Sequence, residues 1–324
     1  MVARTKVRLA WTLRQVPLRL RSSPGPLTIE YASHECGSKY KPALVTLPSS
    51  GSSHEQYAPL AAALKVSGAV SKVISINFFG SKGSTPWPQL ARPLTLDDLA
   101  DLVKAVVDDQ KLEHHHVLGH SFGGAVALRY CAAHAENVES LVLFEPFYFH
   151  AVGEHRIRGA RGVDAEEVRE EGFASAMSFV QDWIVSGRRD FKGFGELFHR
   201  YFLQSGDDDT WANLSPQRRD ALLAAMVPHS FHELGANDGA RGQPAARDLA
   251  AAMKLAKMID CDLVVSHKPG RGSIPFIRAT QAALGDVGFK VSTLAEGGHL
   301  APMTHSEVFS EHMAPLYDRP GPMR

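Results

Sequence analysis

Two kinds of hydrophobic spacing take turns along the chain. Short apolar runs of strand length occur at 42–47 (PALVTL), 70–79 (VSKVISINFF), 140–144 (SLVLF), 261–266 (CDLVVS) and 289–295 (FKVSTLA). The segment 27–33 (LTIEYAS) instead alternates apolar and polar residues with a period of two, as a half-buried strand does. Between these runs the apolar residues recur every three or four positions. Residues 55–67 (EQYAPLAAALKVS) read as one helix. A second carries Leu96, Leu99, Leu102, Val103, Val106 and Val107 on one face, and Thr95 with Asp98 three residues on forms a capping-box pattern at its start. Strands that alternate with helices are joined by crossovers. The pattern therefore predicts an α/β fold, a mostly parallel sheet with helices on both faces.

The rhythm breaks after Pro146. Residues 147–257 carry no good apolar strand, only helix-like stretches at 164–186, 191–204 and 215–227 separated by Gly-rich or Asp-rich joints. They are expected to form a helical cap inserted between the two parts of the α/β core, 27–146 and 258–324. A cap over the carboxyl edge of a parallel sheet encloses a pocket where such folds take ligands. The aromatics Phe173, Phe179, Trp183, Phe191, Phe194, Phe198, Tyr201, Phe202 and Trp211 make that pocket apolar in expectation, with most of them serving as the core of the cap itself.

Composition narrows the function classes. Of 324 residues 44% are hydrophobic and 22% charged, and the formal net charge is zero, so nothing favours nucleic acid or acidic lipid as partner. Three cysteines, Cys36, Cys131 and Cys261, are too few and odd in number for a disulfide framework, which fits buried thiols in a reducing, cytoplasmic setting. No apolar run reaches the length of a membrane span. The start of the chain is different: Arg4, Lys6, Arg8, Arg14, Arg19 and Arg21 precede any acidic residue, and the segment closes at Pro24-Gly25-Pro26. Residues 1–26 are expected to be a disordered basic extension, with an organellar transit peptide as the alternative.

The densest chemistry lies at 114–134, HHHVLGHSFGGAVALRYCAAH, where Gly119-His120-Ser121-Phe122-Gly123 is a G-x-S-x-G pentapeptide. Val117 and Leu118 close a strand before it, and Gly123, Gly124, Ala125 and Ala127 open a helix after it. That context is what a nucleophile elbow requires. A serine hydroxyl needs a base, and the base needs an orienting group. His299 follows the last strand directly in a Gly297-Gly298-His299 turn, whereas His305 is expected inside the following helix. Glu145 ends the strand beside that of Ser121 and is framed by apolar residues, so its charge calls for a buried partner. The segment 266–271 (SHKPGR), after the penultimate strand, holds no carboxylate; Asp262, Asp286 and Glu296 are placed less favourably. An oxyanion would be held by the backbone N–H of Phe122 and by one from the loop Pro48-Ser49-Ser50-Gly51-Ser52-Ser53, with Ser50 the first choice and Ser49 the second.

GHSFGG, LVLFEP, GGHLAPMTH and the helix TLDDLADLV together resemble the α/β-hydrolase fold family, serine-nucleophile branch, over roughly residues 27–317. The resemblance implies Ser121 as nucleophile, His299 as base and Glu145 as acid, in the subset whose acid follows the strand before the cap. It implies a cofactor-free serine hydrolase cleaving an ester, thioester or activated carbon–carbon bond of a small apolar substrate through an acyl-enzyme. Members usually carry His-Gly where this chain has Pro48-Ser49, and a commoner charged turn where it has Phe78-Phe79-Gly80-Ser81. The first departure supports a different class of reading, a non-catalytic ligand-binding module on the same fold. A metal site on His114, His115, His116 and His120 is disfavoured, because the strand is expected to be buried and only Glu113 stands near to complete a ligand set. Neither oligomeric state nor substrate identity follows from the sequence.

Overall fold

The computed structural model describes residues 11–18, 26–37, 39–87, 94–146, 215–217, 245–267 and 274–318. Eight strands form one mixed sheet: β1 (Thr12–Leu18), β2 (Leu27–Glu35), β3 (Ala43–Leu47), β4 (Lys72–Ile76), β5 (His115–His120), β6 (Val138–Phe144), β7 (Asp260–Val265) and β8 (Lys290–Thr293). Their order is β1-β2-β4-β3-β5-β6-β7-β8. The β1–β2 and β2–β4 pairings are antiparallel and the rest are parallel. The chain thus winds outward from β3 and β5, and the carboxyl ends of β3, β5, β6 and β7 share one edge.

Alternation along the parallel strands fills two core layers. Val45, Leu47, Val117, Leu141, Leu143 and Leu263 face helices α2 (Leu96–Asp109), α3 (Phe122–Ala133), α4 (Ala245–Ala256) and α5 (Ile274–Asp286). Leu44, Leu118, Val142, Phe144 and Val264 face α1 (Ala58–Ser67), α7 (Ser306–Met313) and the single turn Ala314–Tyr317. A short α6 (Ala301–Thr304) precedes α7. The capping box at α2 is formed: Asp98 N–H donates to Thr95 Oγ1 at 3.3 Å, and Thr95 N–H donates to Asp98 Oδ2 at 2.9 Å. α1 ends at Gly68 in the left-handed conformation, φ 65°.

Three expectations need correction. Residues 12–18 are not a disordered extension but an edge strand paired with β2, with Val16 and Leu18 buried and Leu13 exposed. Basic residues and Pro17 hid it, yet an edge strand tolerates both because one side of its backbone pairs with nothing. The span 147–257 is not all cap: α4 packs on α3 and β7, with Ala252 and Leu255 fully inside the core. Its Ala-rich stripe is narrow, which made it read like the helical stretches before it. His305 lies at the joint between α6 and α7 rather than within a helix. The other stretches assigned to the cap, and its aromatics, lie outside the described residues apart from 215–217.

Candidate active site

Ser121 stands at the tip of β5, as the N-cap of α3, with φ 54° and ψ −121°. A non-glycine residue there carries strain on the order of 1–3 kcal/mol that its surroundings must hold. They hold it from both sides: Ser121 N–H donates to the Phe144 carbonyl at 3.0 Å, and Gly124 N–H donates to the Ser121 carbonyl at 2.9 Å. The turn is possible only because its flanks lack side chains. A Cβ on Gly123 would stand 2.4 Å from the carbonyl oxygens of both Leu47 and Pro48, and one on Gly119 would meet Gly123 O at 2.5 Å. β3's end is therefore pressed directly against the first turn of α3. Tyr57 fixes the same corner by donating its hydroxyl to Leu47 O at 2.8 Å.

Glu145 repeats the device one strand along. It too has a positive φ, 40°, and its N–H donates to Val264 O at 3.0 Å, so the ladder runs one residue past β6 while the side chain turns toward the sheet edge. Its carboxylate is fully buried and fully engaged. Oε1 accepts from the Ser266 N–H at 2.8 Å and from the Ser266 hydroxyl; Oε2 lies 2.6 Å from His299 Nδ1. An ionised acceptor at Nδ1 keeps the imidazole proton on that nitrogen, which leaves Nε2 as the basic one. His299 is itself 3% exposed, carried after β8 by a turn through Gly297 at φ 94°.

His120, immediately before Ser121, packs its ring on His299 with centroids 4.7 Å apart and on Phe144 at 5.0 Å. Burial, with the neighbouring His299 charge as a smaller cause, holds its pKa well below the ordinary value, so it is neutral. Its Nδ1 lies 2.8 Å from Gln56 Nε2, and Gln56 Oε1 accepts from Ser49 Oγ at 3.0 Å and Ser49 N–H at 3.3 Å. The loop after β3 is pinned further along: His54 N–H donates to Asn77 Oδ1 at 2.9 Å, and Ser81 Oγ donates to Ser52 O at 3.1 Å. Phe122, first residue of α3, sets its ring edge-on to Phe78 at 5.7 Å, and its N–H belongs to the helix start, where no intrahelical acceptor exists. Ser50 sits partly exposed in that pinned loop, between the bound Ser49 and the turn closed by Ser52 N–H on Ser49 O.

Glu145 and His299 are thus brought together, with Ser121 on the same edge and His120 bridging the two. Ser266, Gln56 and His120 were not read as parts of the site from sequence. Ser266 occupies the position where the acid more commonly stands, and a serine there signals that the acid lies elsewhere and needs donors. The other histidines in and just before β5 have local partners: His114 pairs with Glu139 at 3.1 Å, His115 Nε2 meets the Tyr130 hydroxyl at 3.1 Å, and His116 Nδ1 meets Ser140 Oγ at 2.8 Å. Among the described residues no group of three or more His, Cys, Asp or Glu could hold a metal ion. All three cysteines are buried and free. Burial pushes the Cys36 thiol up to about 11 and raises the other two, away from reactivity.

A doubly wound sheet with a strained serine at one strand end and a carboxylate–imidazole pair beside it defines the class: the chain has the α/β-hydrolase fold. Residues 42–163 match the family described as alpha/beta hydrolase fold. Lipase LipV of Mycobacterium tuberculosis is 42% identical over 64 residues, which span 20% of this chain and 23% of that lipase. Among solved structures, bromoperoxidase from Bacillus anthracis superposes with a TM-score of 0.67 at 17% identity, covering 94% of this chain and 99% of that one. A thermophilic esterase from Thermogutta terrifontis gives 0.61 at 17% identity, covering 94% and 97%. At such identities the structural likeness speaks for the fold alone. No helix among the described residues is long and apolar enough to cross a membrane.

Proposed function

We propose that this protein is a cofactor-free serine hydrolase that cleaves an ester, or a thioester or activated carbon–carbon bond, of a small apolar substrate through an acyl-enzyme. The observation that carries the reading is the 2.6 Å contact between Glu145 Oε2 and His299 Nδ1 on the sheet edge that also bears the strained Ser121. His299 Nε2 takes the proton of Ser121 as its oxygen attacks the carbonyl, and Glu145 orients the imidazole and stabilises its charge. The N–H groups of Phe122 and Ser50 receive the oxyanion. His299 then protonates the leaving group and activates the water that releases the acid. The lipase and esterase among the similar proteins support an ester, and the buried rings of Phe78, Phe79 and Trp87 beside Phe122 support an apolar one.

The test is covalent labelling with a fluorophosphonate, with the adduct located by mass spectrometry. Wild type should be labelled at Ser121 alone and Ser121→Ala not at all. A folded, monodisperse wild type that takes no label, yet binds an apolar ester without consuming it, would overturn the reading in favour of a ligand-binding module.

A further inference from the structure

We infer that Gln56 and His120 are positioning residues of this site: through them the loop that offers the second oxyanion donor, the nucleophile elbow and the base are held as one unit. The inference rests on the serine-hydrolase reading above and adds how this chain manages without the usual His-Gly loop. The backbone N–H of Ser49 can only donate, and it points at one end of the Gln56 amide at 3.3 Å, so that end is the carbonyl oxygen. The Ser49 hydroxyl meets the same oxygen at 3.0 Å. The other end is then the NH2, and it faces His120 Nδ1 at 2.8 Å. His120 Nδ1 must accept, which fixes the ring as the Nε2–H tautomer and leaves no role for a protonated form.

Each link has a consequence at the reacting atoms. Ser49 precedes Ser50, so holding the Ser49 N–H on Gln56 sets the direction in which the next N–H points. His120 precedes Ser121, and its ring is clamped between Phe144 and His299, at 5.0 and 4.7 Å. A neutral ring at that distance supports the imidazole without repelling the positive charge His299 acquires during attack; a protonated one would repel it. The network is buried throughout: Ser49 is 6% exposed, Gln56 3% and His120 0%. In this chain the serine in place of glycine brings a hydroxyl that the Gln56 oxygen accepts, so the altered loop is bound rather than merely tolerated.

The experiment pairs a spectroscopic reading of wild type with two substitutions. In 15N-histidine NMR of the full chain, the His120 signals, assigned by their loss in His120→Asn, should show an unprotonated Nδ1 and a protonated Nε2 from pH 8 down to pH 5. Gln56→Glu keeps shape and the Ser49 contacts but turns the His120 side into an acceptor, so the tautomer should reverse to Nδ1–H. Gln56→Leu removes both links. Fluorophosphonate labelling of Ser121 should slow about tenfold to a hundredfold in Gln56→Leu, the scale set by misplacing one donor. Turnover of a short p-nitrophenyl ester should fall in kcat with KM little changed. A His120 that carries its proton on Nδ1 in wild type, or labelling at the wild-type rate in Gln56→Leu, overturns the positioning role. Loss of labelling in wild type itself overturns the hydrolase reading and leaves the tautomer to be judged on the NMR alone.

Discussion

β5 carries buried histidines at both of its ends, and the two ends differ in what those histidines touch. At the amino end His115 and His116 are neutral because burial, aided by nearby positive groups, lowers each to about 4. Each has one polar neighbour, Tyr130 or Ser140, and the contact goes no further into the sheet edge. At the carboxyl end His120 is also buried and neutral, yet its partner reaches the backbone of another loop and its ring lies on that of His299. A depressed pKa is therefore shared by all three and separates none of them. What separates them is the neighbourhood: His120 alone adjoins a positive-φ residue, Ser121, with Glu145 the other at that edge, and positive φ is not itself the mark, since Lys82 and Lys111 share it. Perturbed titration marks burial first, and function only where geometry agrees.

The largest effect that would break this contrast lies at Glu145. Glu145→Gln should cut turnover by a factor on the order of 10² to 10⁴, because the imidazole loses its orienting charge while Ser266 can still hold the amide oxygen. The thermal midpoint should move little. At the other end, Ser140→Ala should leave kcat of the folded protein unchanged and lower stability by about 1–3 kcal/mol, the cost of leaving buried His116 without its partner. Equal activity losses in the two variants would erase the distinction between the ends.

Next in size is the edge strand. Val16 and Leu18 lie in the core, and burial of such a side chain contributes about 1.5–3 kcal/mol as an upper range. Deleting residues 1–18 should lower the thermal midpoint clearly and expose the β2 ladder to aggregation, yet leave labelling of the surviving folded fraction intact, since β1 lies at the far margin of the sheet from β5. An unchanged midpoint would show that β1 adds nothing to the core. Gly123→Ala ranks close behind. Its methyl would stand 2.4 Å from two backbone oxygens, which cannot move without opening the corner between β3 and α3. Destabilisation of about 1–3 kcal/mol together with lost labelling is expected, and a stable, fully labelled variant would contradict the packing described.

The sequence was most readable where one physical cause acted alone. The helix 96–109 follows from its apolar spacing and capping box, and the parallel core follows from short runs bounded by turns. Ser121, His299 and Glu145 stand out as candidates because each sits in a turn at the end of an apolar run, and two of them lie in glycine-rich turns. β1 was missed because an edge strand lacks the apolar run that gave the others away. α4 falls within the span read as cap because its sequence, AARDLAAAMKLA, is half alanine, too weak a pattern to distinguish a core crossover from the helical stretch before it. Gln56, His120 and Ser266 were missed for a different reason. Their contacts reach across 64 and 121 positions of chain, which no local pattern encodes.

The smallest effect is thermodynamic and concerns the amino end alone. His115 and His116 titrate near 4 in the folded protein and near their ordinary value of about 6.5 once unfolded. As pH falls, the unfolded chain takes up these protons first, so stability is full above about pH 6.5 and declines between there and about pH 4. At pH 5 each imidazole should cost about 2 kcal/mol relative to pH 8. Urea unfolding midpoints at pH 8 and pH 5 read the change directly. His116→Phe keeps an aromatic ring beside Tyr317, where the centroids lie 5.4 Å apart, and removes one titrating group. It should therefore flatten the decline by about one proton's worth while labelling of Ser121 proceeds at the wild-type rate. If the slope is unaltered, the acid sensitivity belongs elsewhere; if labelling slows as well, the amino end of β5 is coupled to the site and the two ends are not separate.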